Sequence, residues 1–244
     1  MKKTILMLSA YLAAFAAVAD CGTIQIQYQV GAGPLVTCDS VSPAPVSCAN
    51  VAGPPLQITL LGATSNNPGT STLADLLSAN VDLDNLSSTS QTIQIQISAD
   101  QFTMPVGPNI ALLSHVGGTV VVGTSGSTMS YQSCVNSADV LATVNPLGST
   151  CVAGAFASGL STPPVVSAGS FSNDKSAVIP SLSAPYSIDE AFTITLAAGE
   201  DLNWSASTSL TTSATVEPAS ILLAIAGLGL IFVRRNRGLY LRSN

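Results

Sequence analysis

The sequence predicts an all-β protein: an antiparallel β-sandwich, with an N-terminal signal helix and a C-terminal transmembrane helix. Three observations predict it. Short stretches alternate apolar and polar residues with a period of two, the pattern of a half-buried strand. Clusters of Gly, Pro, Asn and Ser separate those stretches at frequent spacing. The two ends of the 244-residue chain are apolar in another way, continuous rather than alternating.

The chain opens on Met1, Lys2 and Lys3 and then runs apolar over residues 5–19, broken only by Ser9. A cationic start before a short apolar run is the layout of a secretory signal peptide. The run ends Ala17-Val18-Ala19, a small-x-small pattern that places the signal peptidase cut before Asp20. Cys21 raises a lipoprotein signal as the alternative, but Asp20 stands where a small residue is required. The organisation expected is a signal peptide over 1–19, an exported β-sandwich domain over 20–214 and a C-terminal tail over 215–244.

The exported region holds all thirteen acids, from Asp20 to Glu217, against Lys175 as its one basic residue, a net charge of −12. Such a surface repels phosphate backbones, which excludes nucleic acid as a partner. Charged residues are only 8% of the chain, against about 25% in ordinary domains. Ser, Thr, Asn and Gln supply the polarity instead. Few charges with many apolar residues is the opposite of a disordered composition.

Five cysteines lie in the same region: Cys21, Cys38, Cys48, Cys134 and Cys151. Beyond the inner membrane thiols meet an oxidising environment. No C-x-x-C pair occurs, so neither a redox motif nor a zinc knuckle is indicated. The simplest pairing joins neighbours, Cys38 with Cys48 and Cys134 with Cys151, although spacing alone leaves other pairings open. Cys21 is then left over, or displaces Cys38 or Cys48.

The clearest strand covers residues 23–30, where Ile24, Ile26, Tyr28 and Val30 share one side and Gln residues the other. The pattern returns at 91–98 and 191–196. Shorter candidates are 56–61, 80–86, 119–122, 127–132, 165–171 and 202–210. Gly53-Pro54-Pro55, Asn66-Asn67-Pro68-Gly69, Gly117-Gly118 and Thr162-Pro163-Pro164 serve as turn signals. Residues 80–86 and 91–97, joined by Ser87-Ser88-Thr89-Ser90, are expected to form a hairpin. Leu73 to Leu77 suits one helical turn with Thr72 as its cap. No repeat of fixed period appears, which disfavours a solenoid.

Catalytic chemistry finds little support, and the chain is expected not to be an enzyme. The single histidine, His115, is not matched by a G-x-S-x-G elbow, and it is expected at a turn or strand edge. Asp189-Glu190 and Glu200-Asp201 are the acid pairs a glycosidase would need, yet neighbours in a strand face opposite ways. Asp82 and Asp84, with Asn80 aligned, offer oxygens to calcium, but the pattern lacks the third Asp and the Gly of an EF-hand loop. Trp204 alternates with Leu202 and Ala206, which places it in the core before any sugar platform. No cofactor and no metal are expected. The sequons at Asn85 and Asn203 are taken as chance in a Ser-rich chain.

The C-terminus carries the most specific signal. Val216-Glu217-Pro218-Ala219-Ser220 precede 13 uninterrupted apolar residues over 221–233, and Arg234, Arg235 and Arg237 follow at once. With Ala219 and Ser220 the helix would span about 22 Å, short of a hydrocarbon core of about 30 Å. Short spans are tolerated when flanking Arg side chains snorkel. The Arg cluster keeps the end cytoplasmic and the bulk of the chain outside. These residues resemble the PEP-CTERM sorting signal of Gram-negative bacteria, also labelled the ice-binding protein C-terminal domain. Glu217 and Pro218 match its Glu-Pro, Ala219 and Ser220 its usual Ala-Ser, and Arg234, Arg235 and Arg237 its basic stop. Val216 departs from the usual Pro, which bears on processing efficiency.

The resemblance implies that an exosortase-type membrane protease cuts near Glu217-Pro218. The chain would be anchored in the inner membrane by a helix over about 219–233, then delivered to the cell surface or beyond. It does not imply ice binding, because the Thr/Ser run over 208–215 is single and unrepeated. The role expected is structural or adhesive, with a carbohydrate-binding module or weak extracellular hydrolase as the alternative. Extracellular polysaccharide is the candidate partner.

Overall fold

In the computed structural model the structure describes residues 22–42, 44–51, 55–122, 126–144, 151, 154–162 and 169–212. Residues 1–21, on which the expected signal peptide and Cys21 fall, and residues 213–244, on which the expected sorting tail falls, lie outside them. Among the described residues no helix is long and apolar enough to cross a membrane.

The elements are β1 (Thr23–Val30), β2 (Leu35–Val41), β3 (Val46–Val51), β4 (Leu56–Ser65), β5 (Leu73–Asn85), β6 (Gln91–Phe102), β7 (Gly107–Val122), β8 (Thr128–Asn136), β9 (Phe156–Ala157), β10 (Gly169–Leu182), β11 (Tyr186–Leu196) and β12 (Asp201–Thr212). They form two six-stranded sheets with every pairing antiparallel. Sheet A runs β2-β1-β6-β11-β8-β9 and sheet B runs β10-β7-β12-β5-β4-β3. Within them β5 pairs with β12, β6 with β11, β7 with β10 and β8 with β9. That nesting is a ribbon folded over itself into two sheets, the jelly-roll form of the sandwich. Strands β1 and β2 widen sheet A, and β3 and β4 widen sheet B.

Alternation explains the core. Ile24, Ile26 and Tyr28 of β1, Ile93, Ile95 and Ile97 of β6, and Phe192, Ile194 and Leu196 of β11 are all buried. They meet Leu202, Trp204 and Leu210 of β12 and Leu112, Val116 and Val120 of β7 in one cluster. Phe192 ties the sheets together, its ring 4.7 Å from Tyr131 and 4.3 Å from Trp204, centroid to centroid. Such ring pairs add about 0.5–1.5 kcal/mol beyond their buried area. Trp204 is therefore core, as its alternation predicts.

Several local expectations are corrected. Residues 80–86 and 91–97 are not a hairpin: β5 lies in sheet B and β6 in sheet A, so 86–90 is an arch between sheets. Asn85 makes it so. It is 1% exposed, and its Nδ2 lies 2.9–3.0 Å from the carbonyls of Thr89, Leu196 and Ala197. Residues 73–77 begin β5 rather than a helix, and the Thr70 hydroxyl, not Thr72, caps the turn by accepting the Leu73 N–H at 3.0 Å. Gly117-Gly118 is no turn but mid-β7, where Gly118 faces Phe171 of β10 and Trp204 of β12. A Cβ there would lie 2.7 Å from the Phe171 ring, so only hydrogen leaves room. β2, β3 and β9 escape sequence reading: β2 is half exposed along its whole length, and β9 has two residues.

Both neighbour disulfides are formed. Cys38–Cys48 joins β2 at the edge of sheet A to β3 at the edge of sheet B. Cys134–Cys151 fastens the chain after β8 back onto that strand.

Candidate binding face

The outer faces of the two sheets differ. On sheet A the polar rows are covered. Gln27 and Gln96 are 8% and 1% exposed rather than solvated. The segment after β8 lies over them: Val144 N–H donates to Gln27 Oε1 at 3.1 Å, Ala142 N–H to Ser98 Oγ at 3.1 Å, and Ser187 Oγ donates to the Val140 carbonyl at 2.9 Å.

Sheet B carries the open face. The register places Ser172, Gly117, Ser205, Ala79, Gly62 and Ser47 side by side across all six strands. No side chain in that row is larger than serine. It is the floor of a trough running perpendicular to the strands, about 24 Å long at the usual strand spacing. The next row, Asp174, His115, Ser207, Leu77 and Thr64, forms one wall. Thr119 and Asn203 stand on the other side. Hollows of about 470 Å³, 330 Å³ and 260 Å³ mark the face, lined among others by His115 and Ser207, by Gly117 and Ser205, and by Gly62 and Ala79.

His115 sits mid-strand in β7, not at a turn. Its Nδ1 is 2.7 Å from Asp174 Oδ1, with the two side chains 46% and 79% exposed. The ring leans over Gly117, whose Cβ position is 3.4 Å from His115 Nε2. This presents Nε2 to the trough floor. Ser207 stands opposite His115, which aligns Ser, His and Asp across three strands. The row resembles a hydrolase triad only in composition. β7 and β12 each have neighbours on both sides, so their N–H groups serve the ladders and none is aimed as an oxyanion donor. The arrangement can hydrogen-bond hydroxyl groups.

The acidic candidates do not converge. Asp189 and Glu190 sit inside β11, away from a turn, and both are fully buried on opposite faces of sheet A. Burial pushes each carboxyl up to about 7, and neighbouring hydroxyls offset part of the effect. Asn80 is not aligned with Asp82 and Asp84. A bulge opposite Asn203, with Asp82 at φ 55°, turns Asn80 into the interior, where its amide donates to the Leu202 carbonyl at 2.9 Å. Burial, then the neighbouring acids, raises the carboxyls of Asp84 and Asp201. Among the described residues no group of three or more His, Cys, Asp or Glu is placed to hold a metal.

Of the residues the sequence singled out, Cys38, Cys48, Cys134 and Cys151 are placed and paired. Ala17, Ala19, Asp20, Glu217, Pro218, Ala219, Ser220, Arg234, Arg235 and Arg237 lie outside the described residues. The trough was missed. Its signal was the outward positions of β12, Ser205, Ser207 and Ser209, where alternation leaves nothing large. Only the register shows that five other strands do the same.

A scan against protein-family models and a search of curated proteins found no match. Among solved structures, the carbohydrate-binding module TmCBM61 in complex with β-1,4-galactotriose aligns at TM-score 0.30 and 7% identity, over 68% of this chain and all of that one. A structure of infectious bursal disease virus, Gx strain, aligns at TM-score 0.35 and 11% identity, over 84% of this chain. There the chain spans about half, 54%, of its counterpart's length. TM-scores this low carry no weight for the fold or for function.

Proposed function

We propose that the protein is an exported, non-enzymatic adhesive module that holds an extended extracellular polysaccharide in the trough of sheet B. The single observation behind this is the row of small residues crossing six strands, open to solvent, while the opposite sheet is covered. An extended chain needs a long shallow seat without bulky side chains, and hydroxyl-bearing walls suit sugar hydroxyls. His115, held by Asp174, supplies a polar handle at the floor. The face offers no aromatic platform, since Trp204 and Phe171 point inward, so the contacts are polar and weak per sugar. Affinity then comes from length.

Delivery follows the sequence signals. Signal peptidase would cut before Asp20, and an exosortase-type protease near Glu217-Pro218 would release the domain from the inner membrane to the surface or matrix. Two disulfides support a place outside the cytoplasm.

The test is binding of the purified chain to a panel of extracellular polysaccharides. Ser205→Trp places a large ring in the trough at an exposed position and should abolish retention. His115→Ala should weaken it. Absence of binding to any neutral or charged polysaccharide, or retention unchanged by Ser205→Trp, removes this reading.

A further inference from the structure

We propose that Asp189 and Glu190 form a proton-operated latch that tightens the sandwich in mildly acidic surroundings and loosens it above neutrality. The two carboxyls are consecutive on β11 and point to opposite faces of sheet A: Glu190 is hydrogen-bonded across the interior, while both Asp189 oxygens are buried without a hydrogen-bond partner. Glu190 reaches across the interior to sheet B. The Ser78 hydroxyl of β5 donates to its Oε2, and Thr208 Oγ1 of β12 donates to Oε1 at 2.9 Å. The Tyr131 hydroxyl of β8 also reaches Oε1, at 3.2 Å. The cluster continues from Ser133 to Thr208 and from Ser133 to Ser114 of β7. This is a polar bridge that crosses the core between the sheets.

Asp189 lies on the other face, under the segment that covers sheet A. Ser98 of β6, Ser187 of its own strand and the Ala142 N–H of the cover lie around it, but Ala142 N–H donates to Ser98 Oγ and Ser187 Oγ to the Val140 carbonyl, so the Asp189 oxygens are left without a hydrogen-bond partner. The charged groups around both sites are few. Tyr131 is the titratable group touching Glu190, and burial holds its phenol well above the ordinary range. Asp100 of β6 is the charged neighbour of Asp189 and disfavours its ionisation. Asp139, in the covering segment, is taken up by Gln101. Cys134 of β8, opposite Asp189, is in a disulfide. The basic or imidazole side chains among the described residues, Lys175 and His115, are both exposed. Among the described residues, neither carboxylate therefore has a cation to meet when it ionises.

A buried carboxylate without a cation is costly, whereas the neutral acid is not. Hydroxyls can rotate to accept from the acid or donate to the anion, so the bridge survives in both states but with different strength. The folded pKa values, near 7, stand above the ordinary carboxyl values of 3.8 and 4.5. The folded state then binds more protons than the unfolded one between those limits. Stability is fully present below about pH 4, falls as pH rises through 7, and levels off above.

The experiment follows Tm of the full chain in detergent. Between about pH 5 and about pH 8, Tm should fall by on the order of 5–10 °C. Glu190→Gln and Asp189→Asn should each remove part of that fall, and the double variant should flatten it. If a variant fails to fold, infrared difference spectra of the wild type still decide. At about pH 6 ordinary carboxyls are ionised, so a carboxylic-acid C=O band present there and lost by about pH 8.5 supports the latch. A flat wild-type Tm, a double variant that keeps the whole fall, or no such band overturns it.

Discussion

Asn85 shows how much one amide can carry. Its Nδ2 serves three carbonyls, and its Oδ1 accepts the Ser87 N–H at 3.0 Å and the Ser87 hydroxyl at 2.7 Å. Through them the arch after β5 is bound to the end of β11, 111 residues away. Asn85→Ala would strip the buried Leu196 carbonyl of this amide, along with the part-buried Thr89 and Ala197 carbonyls and the Ser87 N–H. A buried polar group left unpaired costs about 1–3 kcal/mol, so urea denaturation should show a loss of that order. Asn85→Asp should be no better, because a carboxylate offers no donor to three carbonyls. The burial also answers the sequon: a side chain at 1% exposure is closed to glycosylation in the folded protein. Period-two alternation puts Asn85 on the same face as Leu83, and both are buried. It could not show what that face looks toward. The acceptors come from a strand whose proximity is fixed only by the whole fold.

At the scale of elements, period-two alternation was legible wherever one face packs against the other sheet. β1, β6 and the second half of β11 stand where the pattern put them. Partner choice was not legible. A short Ser/Thr link between two alternating stretches describes a hairpin and an arch equally well, and the difference lies in which strands arrive later. Likewise Gly117-Gly118 carries turn chemistry, yet in β7 it makes room for Phe171 and Trp204. β2 and β3 are joined by Cys38–Cys48, which closes one open side of the sandwich. A disulfide closing a loop of that size is worth about 2–3 kcal/mol. Replacing Cys38 and Cys48 by Ser should lower the urea midpoint accordingly. Limited proteolysis should then cut first in the region of β2 and β3. An unchanged midpoint would mean that the edge strands are held by packing alone.

For the whole molecule, the charge asymmetry, the two disulfides and the all-β class were legible, because each depends on composition and spacing. The trough was not, because it depends on register across six strands contributed by distant segments. The tail remains the most specific sequence signal, and its test is independent of the fold. Glu217→Ala in a host with the sorting protease should leave uncut chain in the membrane fraction, while the wild type is released. If both stay full length and membrane-bound, the tail is a plain anchor.

The nested strand pairing has a kinetic consequence. Leu83 pairs with Leu202, and Ile97 with Glu190, so neither sheet can close until the last third of the chain is present. Long-range antiparallel pairings of this kind fold slowly, over milliseconds to seconds. A chain leaving the cytoplasm through a narrow translocation pore must stay unfolded until it has passed. For a chain exported as proposed, this topology would supply that delay: the strands that complete both sheets come last in the sequence, and the fold cannot lock before they are present.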